Sequence, residues 1–175
     1  ADIDAAVIGT ITSQYRNAGQ TCVCTNRILV QQNVLAEFTE KYTQAVAKLT
    51  IGDGIKEGVP IGPMIPQKSA KQVAHLVNES IAAGAKLVYG GQLDSAGDNF
   101  YQPTILSHVT NDMPIANNEI FGPVSPIISF NDEQQAIKIA NDTEYGLAAY
   151  FFSRDIGRIW RVSEGLEYGM IGINE

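Results

Sequence analysis

Short apolar segments alternate with amphipathic ones along most of the chain, and this alternation limits the fold more than any other feature of the sequence. Short runs rich in β-branched and aromatic residues predict strands, and longer runs with apolar residues three or four apart predict helices. Such an alternation is typical of a layered α/β domain, in which a mostly parallel sheet carries helices on its faces. Strands are predicted at 27–31, 85–91, 100–109, 125–130, 146–153 and 169–174, and helices at 2–17, 33–49, 66–83, 131–142 and 154–166.

The predicted helix ends follow from capping residues. Asp2 or Asp4 is suited to cap the first helix, and Gly19 is well placed to end it. Pro66 is expected in the first turn of the third helix, where its missing N–H costs nothing.

Length and charge narrow the class of protein. The 175 residues are about one domain, and an apolar share of 45% with 18% charged residues is globular composition. A net charge of −7 argues against nucleic acid and anionic membranes as partners, because the attraction to phosphate is missing. No apolar run reaches the ~20 residues that a membrane helix needs. The chain begins at "ADIDAAV" without methionine and stops inside a predicted strand, so we expect it to be part of a longer protein.

Both cysteines lie in "YRNAGQTCVCTNR", one residue apart. The small and polar residues before Cys22 let the backbone turn and leave amide groups free to bind an anionic sulfur or an oxyanion. That environment suits a nucleophilic thiolate. Residue types alone leave a second interpretation open, a pair of buried structural cysteines.

Several segments together resemble the aldehyde dehydrogenase superfamily. They are "NAGQTC", "IGPMI", "NEIFGPV", "NDTEYGLAAYFFSRD" and "GMIGIN", in the order and at the spacing of that family. The resemblance spans residues 1–175 and corresponds to the catalytic domain. It implies an open, mostly parallel twisted sheet with helices on both faces, and it places the dinucleotide-binding domain and the oligomerisation segment outside this chain.

The resemblance also implies roles for particular residues. Cys22 would be the catalytic nucleophile, attacking an aldehyde to form a thiohemiacetal and then a thioester, with NAD or NADP as cofactor. Glu119 would hold the nicotinamide ribose hydroxyls and Phe121 would flank the nicotinamide ring. The family's general base, a glutamate, and its second oxyanion donor, an asparagine, would lie upstream of Ala1. Without the resemblance, Glu119 reads as a solvated loop acid and Phe121 as a core aromatic.

The cysteine segment further resembles the succinate-semialdehyde dehydrogenase branch, in which Cys-x-Cys follows an arginine at this spacing. There the arginine binds the distal carboxylate of the substrate, so Arg16 is the candidate substrate-binding residue. The alternative is an exposed cation that favours a helix end. The implied reaction is oxidation of succinate semialdehyde to succinate, as in GABA degradation. The rivals are a glutarate-semialdehyde or other aldehyde dehydrogenase, and a folded, non-catalytic fragment that self-associates. A homo-oligomeric parent is expected, in the cytoplasm or, in a eukaryote, the mitochondrial matrix.

Cys24 is a candidate redox partner of Cys22. Residues two apart in an extended chain are separated by at most about 7 Å between Cα atoms, the upper limit for a disulfide. A mild kink would therefore allow the bond to form. The alternative is a small residue packed under the loop.

The remaining candidate residues give weaker indications of a functional site. His75 and His108 have no metal-ligand spacing with each other or with the cysteines, so no metal is expected. A cysteine–histidine hydrolase would need one of them to fold against Cys22. The aromatic run 150–152 is predicted to be strand core.

Overall fold

Helices and strands alternate along the chain as the sequence predicts. A computed structural model describes residues 1–65 and 67–175. The helices are α1 (Ile3–Tyr15), α2 (Leu35–Val46), α3 (Gln67–Ala82), α4 (Pro114–Asn117), α5 (Glu133–Asn141) and α6 (Ile156–Gly165), and the strands are β1 (Ile28–Gln31), β2 (Lys86–Tyr89), β3 (Thr104–Ser107), β4 (Val124–Phe130), β5 (Ala148–Phe151) and β6 (Met170–Ile173). None of the helices in the described residues is long and apolar enough to cross a bilayer.

Four strands form one sheet in the order β1-β4-β3-β2. β1, β4 and β3 run parallel, and β2 is an antiparallel edge strand. Successive residues of the central strands point to opposite faces. Leu106 and Ile128 belong to the core cluster that includes α3, whereas Ile105 and Ile127 belong to the cluster that includes α1 and α2. The open, mostly parallel sheet with helices on both faces is therefore confirmed.

β5 and β6 do not join that sheet, contrary to the expectation of a single one. They pair with each other in parallel register as a two-stranded sheet. All residues of β1 and of β5 line a cavity of about 1140 Å³. Within the described residues β1 pairs only with β4 and β5 only with β6, so each has one edge without a strand partner.

A buried hydroxyl network fixes the end of α1 against the sheet. Ser125 of β4 lies 2.8 Å from the Tyr42 hydroxyl of α2 and donates to the Tyr15 hydroxyl at 3.0 Å. Burial raises the pKa of both tyrosines, so both hydroxyls stay protonated. Because Tyr15 is the last residue of α1, this network holds the point from which the cysteine segment departs.

The helix ends differ from the predictions in detail. Asp2 caps α1 by accepting a hydrogen bond from the Ala5 N–H at 3.1 Å. The helix stops at Tyr15, before the predicted end, because residues 17–19 all have left-handed backbone angles. The predicted start of the third helix at Pro66 lies outside the described residues. The short helix α4 was not predicted.

Candidate active site

The cysteine segment is built from two consecutive turns. Asn17, Ala18 and Gly19 have φ of 51°, 55° and 76°, a left-handed stretch that reverses the chain after α1. A second turn follows, in which the Cys24 N–H donates to the Thr21 carbonyl at 3.1 Å. Cys22 occupies the exposed middle of this second turn. Within the described residues, its N–H and its thiol have no hydrogen-bond partner.

Gln20 anchors the first turn to the loop that precedes α3. Its side chain donates to the Pro63 carbonyl at 3.3 Å and accepts from the Ile65 N–H at 2.8 Å. It also donates to the Asn17 carbonyl at 3.1 Å. The glutamine therefore fixes the backbone that presents Cys22.

Cys24 is half-buried beneath the same turn. Its sulfur lies 2.7 Å from the Thr21 hydroxyl and donates to the Arg16 carbonyl at 3.6 Å. Both cysteines are free thiols. The turn replaces the extended backbone between them, which brings the two residues closer than an extended chain would.

A second loop, residues 118–122, lies directly against the cysteine segment. Glu119 is exposed, and Phe121 is 42% exposed with a φ of 48°. The loops touch at two glycines, because a Cβ on Gly19 would lie 2.1 Å from the carbonyl oxygen of Gly122. The alternative of Phe121 as a core aromatic is wrong, since its ring faces outward.

Four of the candidate residues line the cavity between β1 and β5, namely Cys22, Cys24, Glu119 and Phe121. The cavity therefore carries an exposed carboxylate and an exposed ring as well as a thiol, groups whose chemistry suits hydroxyls and a flat ring of a ligand. Arg16 is exposed and does not line this cavity. In the described part of the chain, its guanidinium has no hydrogen bond or ion pair, so it is available to an anion.

Tyr150 is a site residue that the sequence did not reveal. It was predicted to be strand core, but it is 37% exposed, and its hydroxyl donates to the Val23 carbonyl at 3.1 Å. Burial is the main cause of the raised pKa of Tyr150; the electrostatic effect of Cys24 adds to it, and the Arg16 charge opposes it. The residue therefore ties β5 to the peptide between the two cysteines. Nothing in the local sequence signals a bond to a carbonyl so distant along the chain.

No group of three or more histidine, cysteine or acidic side chains suited to a metal ion occurs among residues 1–65 and 67–175. Neither His75 nor His108 lines the cavity at Cys22. His75 lies 3.4 Å from Glu79, and His108 lies 3.0 Å from the Ser107 hydroxyl. The geometry gives no support to a cysteine–histidine hydrolase.

Both the sequence and the structure of this chain are similar to those of known proteins. The family model described as "Aldehyde dehydrogenase family" matches residues 1–175. The chain is 51% identical over 174 residues to the NADP-dependent succinate-semialdehyde dehydrogenase of Escherichia coli, covering 99% of this chain and 36% of that protein. A glutarate-semialdehyde dehydrogenase of Pseudomonas aeruginosa is 48% identical over the same shares. The crystal structure of succinate-semialdehyde dehydrogenase from Burkholderia pseudomallei superposes with a TM-score of 0.97 at 50% identity, again covering 99% of this chain and 36% of that one.

Proposed function

The chain belongs to the aldehyde dehydrogenase family, and we propose that it forms the catalytic domain of an enzyme that oxidises a semialdehyde to a carboxylic acid. The observation that carries this proposal is the exposed Cys22 thiol on a cavity that Glu119 and Phe121 also line. The chain spans about a third of the length of the relatives it matches, 36% of the Escherichia coli protein. The reaction is therefore proposed for a polypeptide of the relatives' length that contains this chain.

The proposed chemistry begins at Cys22. Its thiolate attacks the aldehyde carbon, and its own N–H, which has no hydrogen-bond partner in the described chain, would stabilise the oxyanion of the thiohemiacetal. NAD or NADP accepts the hydride when bound. The thioester left on Cys22 is then hydrolysed to the acid, which frees the thiol. Glu119 would bind the ribose hydroxyls of the cofactor, and Phe121 would hold the nicotinamide from its strained backbone position.

The direct test is aldehyde-dependent formation of NADH or NADPH. We expect none from the isolated 175 residues, because the resemblance places the base glutamate and the dinucleotide-binding domain outside them. We expect turnover from a polypeptide that carries this chain within the relatives' full length. Turnover by the isolated chain would contradict the proposed division of the active site.

Succinate semialdehyde is the proposed substrate, with Arg16 binding its distal carboxylate. The support is the exposed guanidinium, which has no hydrogen bond or ion pair in the described chain and whose charge acts on Tyr150, the residue bonded to the Val23 carbonyl between the cysteines. A fork of two N–H donors matches a carboxylate better than a lysine ammonium does. Glutarate semialdehyde is one methylene longer and is the nearest alternative, so the ratio of kcat/KM for the two substrates decides between them.

Replacing Arg16 with glutamine is expected to raise the KM for succinate semialdehyde by about 100-fold, the loss typical of a hydrogen-bonded charged pair. Arg16→Lys keeps the charge but not the fork, so an intermediate loss is expected. Propanal has no distal carboxylate and serves as the control substrate. An equal change for propanal and succinate semialdehyde would show that Arg16 does not bind the carboxylate.

We further propose that oxidation joins Cys22 to Cys24 and silences the enzyme reversibly. Peroxide oxidises the Cys22 thiolate to a sulfenic acid, and the Cys24 thiol then displaces water from that sulfur to form the disulfide. The Thr21–Cys24 turn supports this step because it shortens the distance between the two residues.

Titration of the isolated chain checks the disulfide directly, because it contains no other cysteines. Mild peroxide is expected to reduce the count of free thiols from two to zero, and a thiol reductant to restore both. The matched control is Cys24→Ser, which leaves no resolving thiol. An unchanged thiol count in the unsubstituted chain would rule the switch out.

The alternative from another functional class is that the chain is a folded, non-catalytic fragment that self-associates. The edges of β1 and β5 that lack a strand partner in the described chain favour association of the isolated chain, since unpaired strand edges pair with other chains. Sedimentation of the isolated and the full-length polypeptide separates this behaviour from the homo-oligomer proposed for the enzyme. We place the enzyme in the cytoplasm, or in the mitochondrial matrix of a eukaryote, with a small semialdehyde and no nucleic acid or membrane as partner.

A further inference from the structure

The side chain of Asn26 connects the cysteine segment to the loop that carries Glu119. Its Nδ2 donates to the Asn118 carbonyl at 2.9 Å. Its Oδ1 accepts from the Ile120 N–H, also at 2.9 Å. The amide thus binds the backbone on both sides of Glu119 and does not engage the Glu119 carboxylate.

A second amide holds the other end of this loop. Gln14, in the last turn of α1, is 2% exposed, and its Nε2 donates to the Gly122 carbonyl at 3.2 Å and the Val124 carbonyl at 2.7 Å. Gln14 and Asn26 flank the cysteine turns in sequence. Residues 118–122 are therefore held at both ends by the segment that presents Cys22.

The loop depends on such support because part of its backbone is strained. Phe121 adopts a φ of 48°, which a bulky side chain seldom does unless its surroundings impose it. Between Asn118 and Ile120, Asn26 takes the role that a neighbouring strand would take, supplying one donor and one acceptor. Without Asn26, the backbone around Glu119 would lose both partners.

We propose that Asn26 is a positioning residue that sets the Glu119 carboxylate relative to Cys22 and thereby supports cofactor binding. The proposal rests on the function proposed above for Cys22 and Glu119. Asn26 contacts neither thiol nor cofactor in this scheme, so its effect should appear mainly in the cofactor's KM and only weakly in the reactivity of Cys22.

The test uses Asn26→Ala in the full-length polypeptide, with Asn78→Ala on the exposed surface of α3 as the matched control. Loss of two hydrogen bonds is expected to raise the KM for NAD or NADP by about tenfold. The rate of Cys22 alkylation by iodoacetamide without cofactor is expected to stay unchanged. Asn26→Ser serves the same purpose if the alanine variant does not fold. An unchanged cofactor KM in the folded variant, or a slowed alkylation with unchanged KM, would overturn the proposal.

Hydrogen exchange separates this inference from the proposed function. The Ile120 amide is expected to be protected in the parent and to exchange faster in Asn26→Ala, whether or not the protein turns over an aldehyde. If the parent protects the Ile120 amide but shows no activity, the proposed function fails, and the inference that Asn26 holds the loop 118–122 remains. If the Ile120 amide exchanges freely in the parent, the inference that Asn26 holds this loop is wrong, even in an active enzyme.

Discussion

Cys22→Ser is expected to reduce aldehyde oxidation by about 10⁴-fold or more, as losses of catalytic nucleophiles do. A serine hydroxyl has nearly the same size and would keep the turn, but it ionises far less readily than a thiol. The measurement is kcat for NADH or NADPH formation in the full-length polypeptide. The free energy of unfolding is expected to stay close to that of the parent, because Cys22 is exposed and has no hydrogen-bond partner in the described chain.

Cys24→Ser is the matched control for this substitution. Cys24 is half-buried, and its thiol bonds Thr21 and the Arg16 carbonyl, which a hydroxyl can also do. The variant is expected to retain most activity while losing the disulfide switch. An active Cys22→Ser together with an inactive Cys24→Ser would assign the chemistry to the other thiol.

Gly19→Ala is expected to destabilise the protein by about 3 kcal/mol or more and to impair turnover. Two effects act together at this position. The φ of 76° disfavours any L residue, and the new Cβ would lie 2.1 Å from the oxygen and 2.5 Å from the carbon of the Gly122 carbonyl. Backbone cannot yield as a flexible side chain can, so the loops carrying Cys22 and Phe121 must separate.

Substitution at Gly58 is the control that isolates the cost of the left-handed backbone angle. Its φ is 77°, nearly the same as at Gly19, but a Cβ there meets nothing within 4 Å. Gly58→Ala is therefore expected to cost only about 1–2 kcal/mol, the left-handed penalty of an L residue, with activity retained. Denaturant unfolding of both variants measures the difference. Equal losses at the two sites would show that the contact between Gly19 and Gly122 is unimportant.

Local patterns predicted the elements of the fold better than their pairing. The segment 125–130, with Ile127, Ile128 and Phe130, identified β4, and residues 124–128 of that strand are buried. Nothing local showed that β5 would pair only with β6, since strand pairing depends on residues distant in sequence. The end of α1 was also misplaced: Asn17 is a residue type that tolerates left-handed angles, but nothing in the sequence shows that Ala18 adopts them as well.

The residues of the candidate site also fall into two groups, those that the sequence indicated and those that it did not. Cys22, Arg16, Glu119 and Phe121 lie in segments that resemble a known family, so the sequence alone drew attention to them. Asn26, Gln14 and Tyr150 were missed because their role lies in hydrogen bonds to backbone groups roughly a hundred residues away. The sequence around a polar side chain does not show which distant carbonyl that side chain will bind.

The most direct test of the central claim, that the Cys22 sulfur attacks the aldehyde, is to trap the acyl-enzyme. The full-length polypeptide would be mixed with succinate semialdehyde and cofactor, quenched in acid during the first turnover, and digested with trypsin. Cleavage after Arg16 and Arg27 releases residues 17–27, which contain both cysteines, and fragmentation of that peptide distinguishes them. We predict a succinyl group on Cys22 and none on Cys24. Formation of NADH or NADPH with no acyl group on Cys22 would contradict the account.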